Sequence, residues 1–288
     1  MQDVTVNGTR LSYTDDGPRS APTLVFSHSL FFNSSMFRHQ VAAFSDRYRV
    51  ICYDHRGQGA SDRAPREQLD MNTLSEDAAG LIEHLDVGPV HFAGNSLGGF
   101  VALRLAARRP ELLASVTVLG SSAEAEGKIA EFDPLAAVMT EQGTGPVIDT
   151  LMWIMLGDET LAAPRAAAQN AEWRTFMLAL DKGIGDCAYQ VIHRQSVLAE
   201  LAGCAVPLLA VVGEQDHAYS VANSQAMVDA VKDGHLAVVP RAGHSVSLEQ
   251  PAIVNALLQQ HLDALNKRWI RQLALDPGVR RSHLRSLA

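Results

Sequence analysis

Six short apolar runs punctuate the chain, each followed at once by turn-forming residues. They are TLVFSH (23–28), RVICYD (49–54), PVHFAG (89–94), SVTVLGSS (115–122), PLLAVVGEQD (207–216) and LAVVP (236–240). Most are apolar at nearly every position instead of alternating. That pattern predicts strands buried on both faces, as in a parallel sheet covered by helices. Helical stretches of fitting length lie between them, near 35–47, 74–86, 96–109, 221–231 and 249–266. Strand alternating with helix predicts a doubly wound α/β layer. Ahead of these runs, DVTVNG and RLSYTD meet at the turn pair Asn7-Gly8. They predict an antiparallel hairpin at one edge, so the sheet is expected to be eight-stranded and mostly parallel.

The alternation fails once. From about Ala123 to Ala202 there is no strand-like run, and the segments KIAEFDPLAAVM, PVIDTLMWIML, RAAAQNAEWRTFMLAL and AYQVIHRQSVLAELA read as helices. The expected organisation is a core of 1–122 and 203–266 with a helical insertion at 123–202. Residues 267–288 form a basic extension, carrying six Lys/Arg against one Asp. That extension is expected to be solvated, partly helical and partly disordered; a docking segment for a partner or a second subunit is the sharper alternative.

Composition narrows the classes. A chain of 288 residues can bury a large core without staples. Its three cysteines, Cys52, Cys187 and Cys204, are odd in number and lack C-x-x-C spacing. This argues against a disulfide framework or a zinc site and fits a reducing, cytoplasmic setting. The polar N-terminus does not read as a signal peptide, and no apolar run is long enough to span a bilayer. A net charge of −8 gives no support for nucleic-acid binding.

The candidate chemistry starts in VHFAGNSLGGF (90–100), where Gly94 and Gly98 flank Ser96 at G-x-S-x-G spacing. The motif counts only between a strand and a helix, and here PVHFAG precedes it and SLGGFVALRLAARR follows. A serine at such a corner takes an unfavourable backbone conformation, and small residues two places either side leave room for the turn. A lone serine is a poor nucleophile and needs a base held by a third group. In this architecture the partners follow in the order acid, then histidine. Asp216 follows the strand LLAVVG and His244 follows LAVVP, both at carboxyl ends where open α/β sheets handle ligands. Glu214 and Glu124 are rival acids. The oxyanion would be held by the Leu97 N–H at the helix start and the Leu30 N–H in the loop after TLVFS.

These residues resemble the α/β-hydrolase superfamily over about 1–266. DHRGQGASD (54–62) is similar to its D-x-R-G-x-G-x-S segment, which implies that Asp54 and Arg56 form a structural pair. The insertion 123–202 falls where that superfamily carries a helical cap. Within it, LVFSHSLFFNSSMF and VICYDHRGQGASD most resemble the 3-oxoadipate enol-lactone hydrolases, which carry a Ser-Leu pair where most relatives have His-Gly. Here that pair is Ser29-Leu30. The elbow GNSLGG also looks like that of the meta-cleavage-product C–C hydrolases. Two departures stand out: Phe31 where the enol-lactone family has Gly, and His217 where relatives often have Pro after the acid.

The resemblance implies a serine hydrolase of a small ester or lactone, such as a 3-oxoadipate enol-lactonase, with no cofactor or metal. The same triad could serve C–C bond hydrolysis, acyl transfer, perhydrolysis or cofactor-free oxygen chemistry. A ligand receptor on this fold is expected to lose a triad member, and all three are present. The expected partner is the small-molecule substrate, with a homo-oligomer left open. The expected pocket comprises His28, Phe31, Met152, Trp153 and Met155, with Trp173, Phe176 and Met177 further candidates and His28 also a support for the oxyanion loop. A substrate carboxylate would need a cation such as Arg165, Arg174 or Arg194.

Overall fold

The computed structural model of the chain describes residues 1–275. Strands β1 (Gln2–Val6) and β2 (Thr9–Asp16) form the expected hairpin, in register Val6 to Thr9. Asn7 and Gly8 both take positive φ, 46° and 72°, as a two-residue hairpin turn requires. The remaining strands are β3 (Thr23–Ser27), β4 (Arg49–Tyr53), β5 (Val90–Asn95), β6 (Leu113–Leu119), β7 (Leu208–Gly213) and β8 (Gly234–Val239). They form one eight-stranded sheet in the order β1-β2-β4-β3-β5-β6-β7-β8. The pairs β1–β2 and β2–β4 are antiparallel and the rest parallel. Every residue of β3, β5 and β7 is buried, so both faces are covered there. The edge strand β8 departs from the expected double burial: Val238 is 46% exposed.

Helices α1 (Arg38–Phe44), α2 (Met71–His84) and α3 (Leu97–Arg108) follow β3, β4 and β5. Asp70 caps α2, accepting from the Asn72 and Thr73 N–H groups. Between β6 and β7 the chain leaves the sheet through α4 (Ile129–Gln142), α5 (Ile148–Met155), α6 (Asp158–Ala162), α7 (Ala167–Leu178) and α8 (Gly183–Ile192). This is the helical insertion. Arg104, buried on α3, ties back its far end by donating from Nη2 to the Gln195 carbonyl at 2.7 Å. After β7 come α9 (Val221–Ala230), then β8, then α10 (Val246–Glu249) and α11 (Pro251–Leu275). Pro251 opens α11, so the helix expected at 249–266 starts two residues later, after the short α10. The basic stretch from 267 continues α11 to Leu275, with Arg268 paired to Asp233 at 2.5 Å; the rest of it lies outside the described residues.

Along the sheet β3 sits between β4 and β5, so the chain steps from β3 to β4 on one side and then crosses back to β5 on the other. Open α/β sheets bind ligands outside the carboxyl ends of their strands at this kind of switch point. The loop carrying Leu30 and the turn carrying Ser96 emerge there.

Burial also sets a pH limit on the fold. His91 on β5 lies 2.8 Å from the Ser115 hydroxyl, and burial pushes its pKa down to about 4. A histidine lowered in the folded state stabilises it above the unfolded pKa and loses that contribution as pH falls towards the folded value. From pH 7 to pH 5, His91 is therefore expected to cost about 2 kcal/mol of unfolding free energy. Urea titrations of wild type and His91→Gln check this. The wild type should lose more stability than the variant across that interval, and parallel losses would contradict it.

Candidate active site

Ser96 stands between the last residue of β5 and the first of α3, with φ 51° and ψ −109°. That conformation is sterically unfavourable for any residue but glycine and survives only where the surroundings impose it. Here the constraint is close backbone packing. A Cβ on Gly94 would lie 2.1 Å from the Gly98 carbonyl oxygen, and one on Gly98 would lie 2.0 Å from that of Ser27. The turn can thus close only with glycine at both positions. The Ser96 N–H donates to the Leu119 carbonyl, and the Ser121 hydroxyl to the Ser96 carbonyl, locking the turn to β6.

His244 Nδ1 lies 3.1 Å from both carboxylate oxygens of Asp216, so it carries the proton and leaves Nε2 as the free ring nitrogen. Asp216 Oδ1 also accepts from the N–H groups of Ala218 and Tyr219 at 2.8 and 3.0 Å. Both side chains are buried. Gly120, at φ +49°, makes room for them: a Cβ there would sit 2.5 Å from the His244 carbonyl oxygen and 3.2 Å from Asp216 Oδ2. Asn95 Nδ2 donates to the same carbonyl. The rival acids point elsewhere: Glu124 accepts from Asn223, and Glu214 from the Arg241 N–H.

Ser96 and His244 border one cavity, which lies between the sheet edge and the insertion and encloses about 540 Å³ including its mouth. Leu30 and Phe31 line it too. Leu97 is the first residue of α3, so its N–H lacks an intrahelical acceptor. Phe31 holds φ +69°, the left-handed region that suits glycine. The loop therefore keeps a glycine-like backbone while placing an aromatic ring on the cavity wall.

Three expected pocket residues do not line the cavity. His28 is wholly buried behind the loop: Nδ1 donates to the Ser29 carbonyl, Nε2 accepts from the His55 N–H, and burial lowers its pKa. It supports the loop instead. On α5 the lining residues are Leu151, Ile154 and Met155, one helical face. Met152 falls off that face into the packing, and Trp153 points outward, 47% exposed, its ring stacked 4.0 Å from that of His217. Trp173 packs on Phe32 at 4.7 Å, and neither Phe176 nor Met177 lines the cavity. The three arginines offer it no free cation: Arg165 is exposed, Arg174 pairs with Asp149, and Arg194 is buried against Glu126. Asp54 and Arg56 are structural, but not as a pair. Arg56 binds Asp77 at 2.6 Å, while Asp54 accepts from the N–H groups of Ser34 and Ala60.

Sequence reasoning missed Glu126, Tyr219 and Glu249. The first two line the cavity. Glu249, whose pKa burial raises, accepts from the Gly157 and Gly243 N–H groups and so ties the insertion to the loop before His244. Only Tyr219, three residues after Asp216, had a local signal in its proximity to that acid. Among the described residues, no cluster of side chains could hold a metal ion, and no helix is long and apolar enough to cross a membrane.

A model of the alpha/beta hydrolase family matches residues 24–257. The chain is similar to 3-oxoadipate enol-lactonase 2 of Acinetobacter baylyi, 29% identical over 91% of this chain and 97% of that one. Among solved structures it is similar to the enol-lactonase from Burkholderia xenovorans, with a TM-score of 0.85 and 28% identity over 91% of this chain and all of the other. A thermophilic esterase from Thermogutta terrifontis shares the fold, with a TM-score of 0.83 and 23% identity over 92% of this chain and 99% of that one.

Gly120→Ala should force the Asp216–His244 pair apart or strain the turn. The expected cost is about 1–3 kcal/mol of stability, read from the denaturant midpoint. An unchanged midpoint would contradict the close packing described.

Proposed function

Because the chain belongs to the alpha/beta hydrolase family, we propose that it hydrolyses a small carboxylic ester or lactone through an acyl-enzyme on Ser96, with the insertion at 123–202 acting as a cap over the site. The observation that carries this reading is a buried Asp216–His244 pair whose histidine borders the same cavity as a serine held at a strained strand-to-helix turn.

In this reading the Ser96 hydroxyl attacks the carbonyl carbon while its proton passes to His244 Nε2. Asp216 keeps the proton on Nδ1 and stabilises the imidazolium without becoming protonated. The N–H groups of Leu97 and Leu30 face the oxyanion, a contribution of about 3 kcal/mol for each such donor. Collapse breaks the ester C–O bond, and the leaving oxygen takes the proton from Nε2. Water then attacks the acyl carbon and gives a proton to Nε2. Ser96 leaves with that proton and the acid is released. Each step uses this chain's own groups.

The enol-lactonase names of the relatives bring one finer candidate, the enol-lactone of 3-oxoadipate. The ester-or-lactone chemistry would serve it, but it keeps a free carboxylate, for which the cavity lining offers no unpaired cation among the described residues.

Hydrolysis of p-nitrophenyl butyrate tests the chemistry. Ser96→Ala should lower kcat/KM by about 10⁴-fold or more, and Asp216→Asn by a comparable factor through loss of the correct tautomer. Wild-type rates from Ser96→Ala would contradict the proposal.

A further inference from the structure

Among the described residues, the cavity wall carries one titratable side chain of acidic type beside His244 and Tyr219. Apart from Ser96, His244 and Tyr219, every other lining residue is apolar. The exception is Glu126, in the loop leading from β6 into the insertion. Its carboxylate is 4% exposed and accepts three hydrogen bonds: Oε2 from Arg194 Nη1 and from the Tyr219 hydroxyl, each at 3.0 Å, and Oε1 from the Lys128 N–H at 2.9 Å. Arg194 stands behind it, outside the lining. Its side chain is 1% exposed, and its guanidinium packs 4.2 Å from the Phe100 ring centroid and 5.3 Å from that of Tyr219. The guanidinium is thus spent on Glu126 and on aromatic faces, and of the two partners only Glu126 lines the cavity.

This decides what acyl group fits. A carboxylate carried into an apolar cavity loses its hydration and needs a cation or several donors in return. Here it would find apolar side chains and a carboxylate whose one paired cation is already taken and stands outside the lining. An enol-lactone made from a dicarboxylic acid keeps one free carboxylate, and so falls in the excluded class. We infer that the cavity selects esters or lactones whose acyl part is uncharged and apolar, and that Glu126 is the residue that rejects anionic ones. The inference rests on the hydrolase reading above and names its substrate class. Glu126 acts on specificity and takes no part in bond making, its carboxylate being held by Arg194, Tyr219 and the Lys128 N–H.

The test compares two p-nitrophenyl esters of adipic acid, one with its second carboxyl free and one with it methylated. They share the reacting ester and nearly the same length and differ in charge. The wild type should prefer the methylated ester by more than a hundredfold in kcat/KM. Glu126→Gln leaves the Arg194 charge uncompensated, so this preference should shrink by about tenfold or more. A merely structural role would lower both rates together and leave the ratio unchanged, which would remove Glu126 from the inference. If Glu126→Gln does not fold, the wild-type ratio decides alone. Equal or faster turnover of the anionic ester overturns the inference while leaving the hydrolase reading standing. Turnover absent for both esters, or surviving Ser96→Ala, overturns that reading and this one with it.

Discussion

The site depends on one steric constraint, the approach of three backbone segments to within contact distance beneath Ser96. The end of β5, the start of α3 and the end of β3 meet where Gly94 and Gly98 leave no space for a Cβ against the Gly98 and Ser27 carbonyls. That packing forces Ser96 to φ 51° and keeps it there. The energy stored in the turn is set by the burial of β3 and β5 on both faces, which does not relax to accommodate a looser corner. A parallel sheet that changes winding direction at β3–β5 supplies the crevice, and the turn supplies the group that faces it.

Around that corner, the polar groups are fastened by hydrogen bonds from several loops. Asp216 is held by two N–H groups of its own loop, His244 by Asp216 and through its carbonyl by Asn95, and the loop before His244 by Glu249. Glu249 reaches Gly157 in the insertion as well, and the Ser245 N–H donates to the Met155 carbonyl. The insertion is therefore bonded directly to the segment that carries the histidine. Glu126, Tyr219 and Arg194 make a second such tie, this one setting the charge of the cavity wall.

The sheet was legible because apolar runs without alternation have one common explanation, and because Asn7-Gly8 announces a hairpin. The position of Ser96, Asp216 and His244 at strand ends was legible for the same reason: it follows from local order along the chain. The cavity lining was not. Met152, Trp153 and Met155 are neighbours in sequence, yet only Met155 lies on the inward face of α5, and which face turns inward is set by tertiary docking of the insertion. Glu126 was illegible for a related reason. Its role depends on Arg194, 68 residues later, and on Tyr219, 93 residues later, and no spacing rule connects them. Phe31 shows the converse: a departure visible in the sequence whose consequence, a glycine-like φ of +69° with an aromatic ring on the wall, only the structure makes explicit.

The proposed function requires this strained serine to be a nucleophile activated by the buried pair. The most direct measurement is reaction of the folded protein with a fluorophosphonate, followed by intact mass and peptide mapping. The account predicts a single adduct, on Ser96, that forms in the native protein and fails to form after denaturation or in His244→Ala. An unmodified Ser96 in the native protein, or equal labelling of several serines, would contradict it.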